Sequence, residues 1–157
     1  LLPLDVFTTI EKIEKHQQEV NEAHAGEPVI IHLTEDFDLS RGSSIVKTSE
    51  VPNVENTIEA TVCWMDNKPF QNGQKLLLQQ NSFRSKAIIK EVDATIDIHT
   101  FEDKPSDGSM NLNEFCKVTI KTAEAITYDP YQLNRKTGAF ILINENTNNT
   151  VAAGIIH

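Results

Sequence analysis

The 157 residues, 39% hydrophobic and 24% charged, suffice for one ordinary domain or two small ones and exclude a disordered or fibrous chain. A net charge of −9, from 14 basic and 23 acidic residues that interleave along the chain, opposes general binding to a phosphate backbone. No apolar run approaches the roughly 20 residues that cross a bilayer as a helix, and Leu1-Leu2-Pro3-Leu4 is too short for a signal-peptide core, so the expected location is cytoplasmic.

The chain opens on leucine and its only methionines are Met65 and Met110, so we expect part of a longer protein. Period-two patterns dominate, which predicts strand almost throughout. Around Glu11 to Glu22 the apolar stripe of Ile10, Ile13 and Val20 is too thin for a helix, and a strand through about Ile13 followed by a loop fits better. Val29-Ile30-Ile31-His32-Leu33 is the first clear strand, closed by Glu35-Asp36, and Arg41-Gly42 turns the chain. A short strand is expected near Ile45 and Val46. The polar stretch 48–56, with Pro52 inside it, reads as a linker. This places a boundary near residue 50, with 1–49 and 50–157 as separate units.

In the second unit Ile58, Ala60, Val62 and Trp64 alternate with more polar neighbours, the pattern of a half-buried strand. Asn72-Gly73 marks a turn. Leu76 to Leu78, 83–92, and Ala94, Ile96 and Ile98 predict three further strands, and 102–109 predicts a loop. Phe115 to Ile120 resumes the alternation until Asp129-Pro130. The apolar run Ala139-Phe140-Ile141-Leu142-Ile143, a turn at 146–149 and a last strand from Thr150 predict a C-terminal hairpin. Six or seven strands of this spacing predict an all-β fold, an antiparallel barrel or sandwich. The first unit holds three or four strands, too few for its own closed barrel, and would leave strand edges to pair with the next domain or with another copy as a homo-dimer.

Candidate chemistry is sparse. The sequence has no G-x-x-x-x-G-K-[ST] and no G-x-S-x-G, and its six glycines are too scattered to cradle a phosphate. Cys63 and Cys116 lack Cys-x-x-Cys spacing and read as reduced thiols in strands. His16, His24 and His32 recur every eight residues, but that spacing does not by itself converge three imidazoles on a metal. Glu35, Asp36 and Asp38, and Glu102 and Asp103, miss the calcium-loop spacing and read as solvated turn acids. No catalytic, cofactor-binding or metal-binding residue is therefore assigned. Asp129, Tyr131, Asn134 and Arg135 form a polar, aromatic-bearing loop between apolar strands, a candidate domain or subunit contact set against the ordinary turn preference of Asp, Pro and Asn.

Several motifs carry a resemblance. Ala23-His24-Ala25-Gly26-Glu27 and Asp36-Phe37-Asp38-Leu39-Ser40-Arg41-Gly42 resemble the end of the second barrel in the large, GTP-binding subunit of bacterial sulfate adenylyltransferase, with Ser43 where that family has an acid. Val62-Cys63-Trp64-Met65 with Lys68-Pro69-Phe70, Asp97-Ile98-His99-Thr100-Phe101 and Leu112-Asn113-Glu114 are similar to later family segments. The tail, from Asp129-Pro130-Tyr131 through Asn134-Arg135, Thr137-Gly138 and Phe140-Ile141-Leu142-Ile143 to Asn146-Thr147-Asn148 and Ala153-Gly154, resembles its closing segment almost position by position.

The resemblance implies a translation-factor-type architecture. Residues 1–49 would be the C-terminal half of a second β-barrel. Residues 50–157 would be a complete antiparallel Greek-key barrel like the third domain of elongation factor Tu. GTP and Mg would belong to an N-terminal GTPase domain absent from this stretch. The implied partners are that GTPase domain and the small catalytic subunit, on which ATP and sulfate give adenosine 5'-phosphosulfate and pyrophosphate. The alternative is the RNA-binding third barrel of a translation-elongation-factor-like GTPase, which the acidic balance opposes.

Overall fold

A computed structural model describes all of residues 1–157 as strands, turns and loops, with no α-helix. Three strands form first: β1 (Ile10–Lys15), β2 (Gln18–Val20) and β3 (Ile30–Leu33), in the order β2-β1-β3 and all antiparallel. Seven follow: β4 (Asn53–Trp64), β5 (Leu76–Gln80), β6 (Phe83–Ile96), β7 (Asp103–Pro105), β8 (Phe115–Tyr128), β9 (Ala139–Asn144) and β10 (Thr150–Ile156).

Their order is β5-β9-β10-β4-β8-β6, and β6 pairs back onto β5, which closes a six-stranded antiparallel barrel; β7 is a short flank on β6. Closure needs tilted, bent strands. Bulges supply the bend between Glu55 and Thr57 on β4, and between Ile89 and Glu91 and between Val92 and Ala94 on β6.

The alternation read from Ile58, Ala60, Val62 and Trp64 points these side chains inward, where they join Leu76, Leu78, Ile120, Ile126 and Leu142 in one 21-residue apolar cluster. Trp64 is fully buried, meets the Phe70 ring edge-on at 5.6 Å, and donates its indole N–H to the Lys68 carbonyl at 2.9 Å. The indole thereby buries its large ring without orphaning its one polar atom.

Several expected elements change. Ile13 lies in a strand, but no loop follows directly: His16 and Gln17, at φ 51° and 65°, form a two-residue turn into β2, with Lys15 opposite Gln18. Two positive φ values suit a tight hairpin, yet neither residue is the Gly or Asn that advertises one. Ile45 and Val46 form no strand; the only pairing there is a bridge between Leu2 and Ser44. Ala94 and Ile96 continue β6 across its bulges, while Ile98 is 55% exposed beyond its end. The segment 102–109 contains β7, and β8 runs on past Ile120 to Tyr128 because Thr122, Ile126 and Tyr128 keep facing inward.

Candidate docking surfaces

The loop from Asp129 to Gly138 is built by local capping. The Asp129 carboxylate accepts from the Thr137 hydroxyl at 2.6 Å and from the Asn134 side-chain amide at 3.2 Å. Asn134 N–H and Leu133 N–H both donate to the Pro130 carbonyl, at 3.1 and 2.8 Å. Two backbone bonds tie the loop to the last strand: Tyr131 N–H to Ile156 O at 2.9 Å and Ile156 N–H to Gly138 O at 2.8 Å.

Gly138 has no room for a side chain, since a Cβ there would lie 2.4 Å from the Tyr131 Cα. From inside the barrel, the buried Gln80 amide donates to the Thr127 carbonyl at 3.2 Å and to the Thr137 carbonyl, and from the exposed turn after β5 the Asn81 amide donates to Lys136 O at 2.9 Å. Gln80 and Asn81 belong to this site although nothing in their local sequence marked them.

All four candidate residues therefore share one loop but do two jobs. Asp129 and Asn134 shape the turn and also line a recess of about 530 Å³, whose other wall is Ser44 to Pro52 of the preceding segment. Leu133, 81% exposed, stands beside them. Tyr131 borders a different recess, and the Arg135 guanidinium lies 5.9 Å from its ring centroid.

Tyr131 borders an apolar groove of about 750 Å³ on the outer face of β4, β10 and β9. Register explains it: Phe115, Cys63, Ala153, Ile141 and Gln79 lie directly opposite one another across five strands, so their side chains emerge on one face. Small side chains at Ala139 and Ala153 form the floor, with Phe115 at 40% exposure on the rim. Gly154 is needed because the Phe140 ring occupies the place of its Cβ, at 2.4 Å.

Cys63 sits in this groove, and Cys116 points into the core although the two strands are neighbours. Val62 is opposite Cys116 and Cys63 opposite Phe115, so the pleat sends the two sulfurs to opposite faces. Burial pushes both thiols above their ordinary pKa.

The histidine series does not converge. His16 is in the hairpin turn, His24 lies 3.8 Å from Glu22, and His32 lies 3.4 Å from Glu14. No three His, Cys, Asp or Glu side chains gather at ligating distance. These residues offer neither a phosphate-cradling loop for GTP nor a ligand cluster for magnesium. The segment Asp97 to Phe101 is an Asx-type turn: the Asp97 carboxylate accepts from His99 N–H at 2.8 Å, Thr100 N–H at 3.2 Å and the Lys104 ammonium at 2.5 Å. The ammonium, then the two amides, holds Asp97 well below the usual carboxylate range.

The chain is similar to curated proteins along nearly its whole length. It is 34% identical over 157 residues to the bifunctional enzyme CysN/CysC of Mycobacterium tuberculosis, covering 99% of this chain and 26% of that protein. To sulfate adenylyltransferase subunit 1 of Teredinibacter turnerae it is 31% identical over 154 residues, covering 98% and 33%. It thus spans about a quarter to a third of the relatives it matches. These are proteins of the kind that the motifs resemble.

Among solved structures, Sup35 complexed with GDP superposes with a TM-score of 0.84 over 99% of this chain and 38% of that one, at 15% identity, which speaks to fold alone. The all-β architecture is accordingly that of translation-factor barrels. The family model described as GTP-eEF1A C-terminal domain-like matches residues 57–157, from the first inward-facing residues of β4 to the end of the barrel, and the chain belongs to that family.

Proposed function

We propose that the chain is the non-catalytic barrel region of a sulfate adenylyltransferase GTP-binding subunit, acting in the cytoplasm in sulfate assimilation. Residues 1–49 are read as the C-terminal half of the second barrel and 50–157 as the third. The observation that carries the reading is a similarity to sulfate adenylyltransferase subunit 1 proteins that runs over 98–99% of the chain. In this reading GTP and magnesium act on a preceding GTPase domain. Adenylyl transfer from ATP to sulfate takes place on the small catalytic subunit.

The barrel contributes position. A rigid, tied-down loop and an adjacent apolar groove of small side chains suit a packed protein contact, because little side-chain freedom is lost on docking. We assign the small subunit to the groove beside Tyr131, and the GTPase domain to the open apolar face of the first unit or the recess at Asn134. Such contacts transmit nucleotide state as rigid-body movement.

Mixing the chain with the small subunit from the same source, followed by light scattering on a sizing column, tests the assignment and also shows whether the open sheet pairs two copies. The expected result is a stable complex, weakened about tenfold or more by Ala153→Asp or Tyr131→Ala. A folded chain that forms no complex at about 100 μM of each partner, near the weak end of specific association, contradicts it.

A further inference from the structure

The barrel gathers cations that the sequence scatters. On the outer face of β6, Arg84, Lys86, Ile88 and Lys90 alternate with the buried Ser85, Ala87 and Ile89. Register places Lys121 of β8 opposite Ile88, and Leu77 of β5 opposite Lys86. Lys75, Lys86 and Lys121 border one recess of about 340 Å³ whose exposed apolar lining is Ile88 and Ala123. Five of the chain's 14 basic side chains therefore share one face of a molecule whose net charge is −9.

These charges are largely uncompensated. Only Lys86 has a carboxylate within ion-pair distance, Glu145 at 3.5 Å; Lys75, Arg84, Lys90 and Lys121 have none. Glu145 is the one carboxylate that lines the recess. Ile88, 44% exposed, stands among the cations.

We propose that this face binds an extended, acidic protein segment that carries aliphatic side chains. Alternate residues of a strand lie roughly 6.7 Å apart, so carboxylates two residues apart on an extended segment match the spacing of Arg84 and Lys86, with Lys90 beyond Ile88 at the bulge. An aliphatic side chain of the segment covers Ile88. One feature favours a protein over RNA: no aromatic side chain lines the recess to stack a base, whereas exposed Ile88 offers an aliphatic contact. The contact runs through side chains, since β6 is already paired on both sides.

The test uses a labelled twelve-residue peptide with six glutamates and two leucines, its counterpart with serines for the leucines, and polyuridylate, each titrated by fluorescence anisotropy and mapped by amide shifts. The leucine peptide is expected to bind the tighter of the two and to move the amides of 84–90 and 121–123. Lys86→Glu with Lys121→Glu weakens both peptides about tenfold or more. Ile88→Ser removes the advantage of the leucine peptide and leaves the serine peptide unchanged. Circular dichroism of each variant shows that the fold is kept. The proposal is overturned by an absence of shifts at this face up to about 1 mM peptide in low salt, where affinity is marginal. Equal affinity for wild type and the double variant, or tighter binding of polyuridylate to the same face, also overturns it.

Discussion

Strands β4 to β10 wrap a 21-residue apolar cluster, whereas β1, β2 and β3 contain no fully buried side chain at all. Before Ile58 only Leu1 and Leu2 are buried, while Phe7, Ile10, Ile30, Ile31, Ile45 and Val51 are exposed. The difference is closure: six paired strands leave no edge and one shared interior, while an open three-stranded sheet leaves both edges unpaired and apolar side chains exposed. One region buries its own core, and the other leaves much of its apolar surface exposed.

The largest effect should come from the barrel interior. Trp64→Ala removes the biggest fully buried side chain and should lower stability by about 3–5 kcal/mol, read as a fall in the urea midpoint. Gly138→Ala forces a methyl group against the Tyr131 backbone and should cost about 1–3 kcal/mol while loosening the 129–137 loop, seen as faster amide exchange there. Ile13→Ala, in the half-buried β1, should cost no more than about 1 kcal/mol and leave the barrel's transition in place. If it moves that transition as far as Trp64→Ala does, the two units are one cooperative body.

The smallest effect concerns Asp97. Its folded pKa is depressed, so its stabilisation is present above the unfolded value of about 4 and disappears as pH falls through the lower folded value. Lys104→Gln should raise the Asp97 pKa in a carboxyl NMR titration, since the ammonium is the main cause of the depression.

Much of the barrel was legible because its core residues announce themselves by alternation, as from Ile58 to Trp64, or by a continuous apolar run, as from Ala139 to Ile143. Phase slips defeated the same reading in β6. There the buried residues step by two from Ser85 to Ile89 and then by three to Val92, so one bulged strand looks like two. The β1–β2 hairpin was missed because His16 and Gln17 adopt turn geometry without turn chemistry.

Function divides along the same line. The loop carrying Asp129, Tyr131, Asn134 and Arg135 could be picked out, since its residues are contiguous. The groove of Cys63, Ala153 and Ile141 and the cations at Lys75, Lys86 and Lys121 exist only after distant strands pair, and no local pattern encodes them.

Amide hydrogen exchange on the intact chain tests the contrast between closed and open units most directly. Inward-facing stretches of β4, β8 and β10 should exchange near the global unfolding limit, and β1 to β3 at least about a hundredfold faster, because local opening of the sheet exposes little new apolar surface. Equal protection across both units would contradict the account.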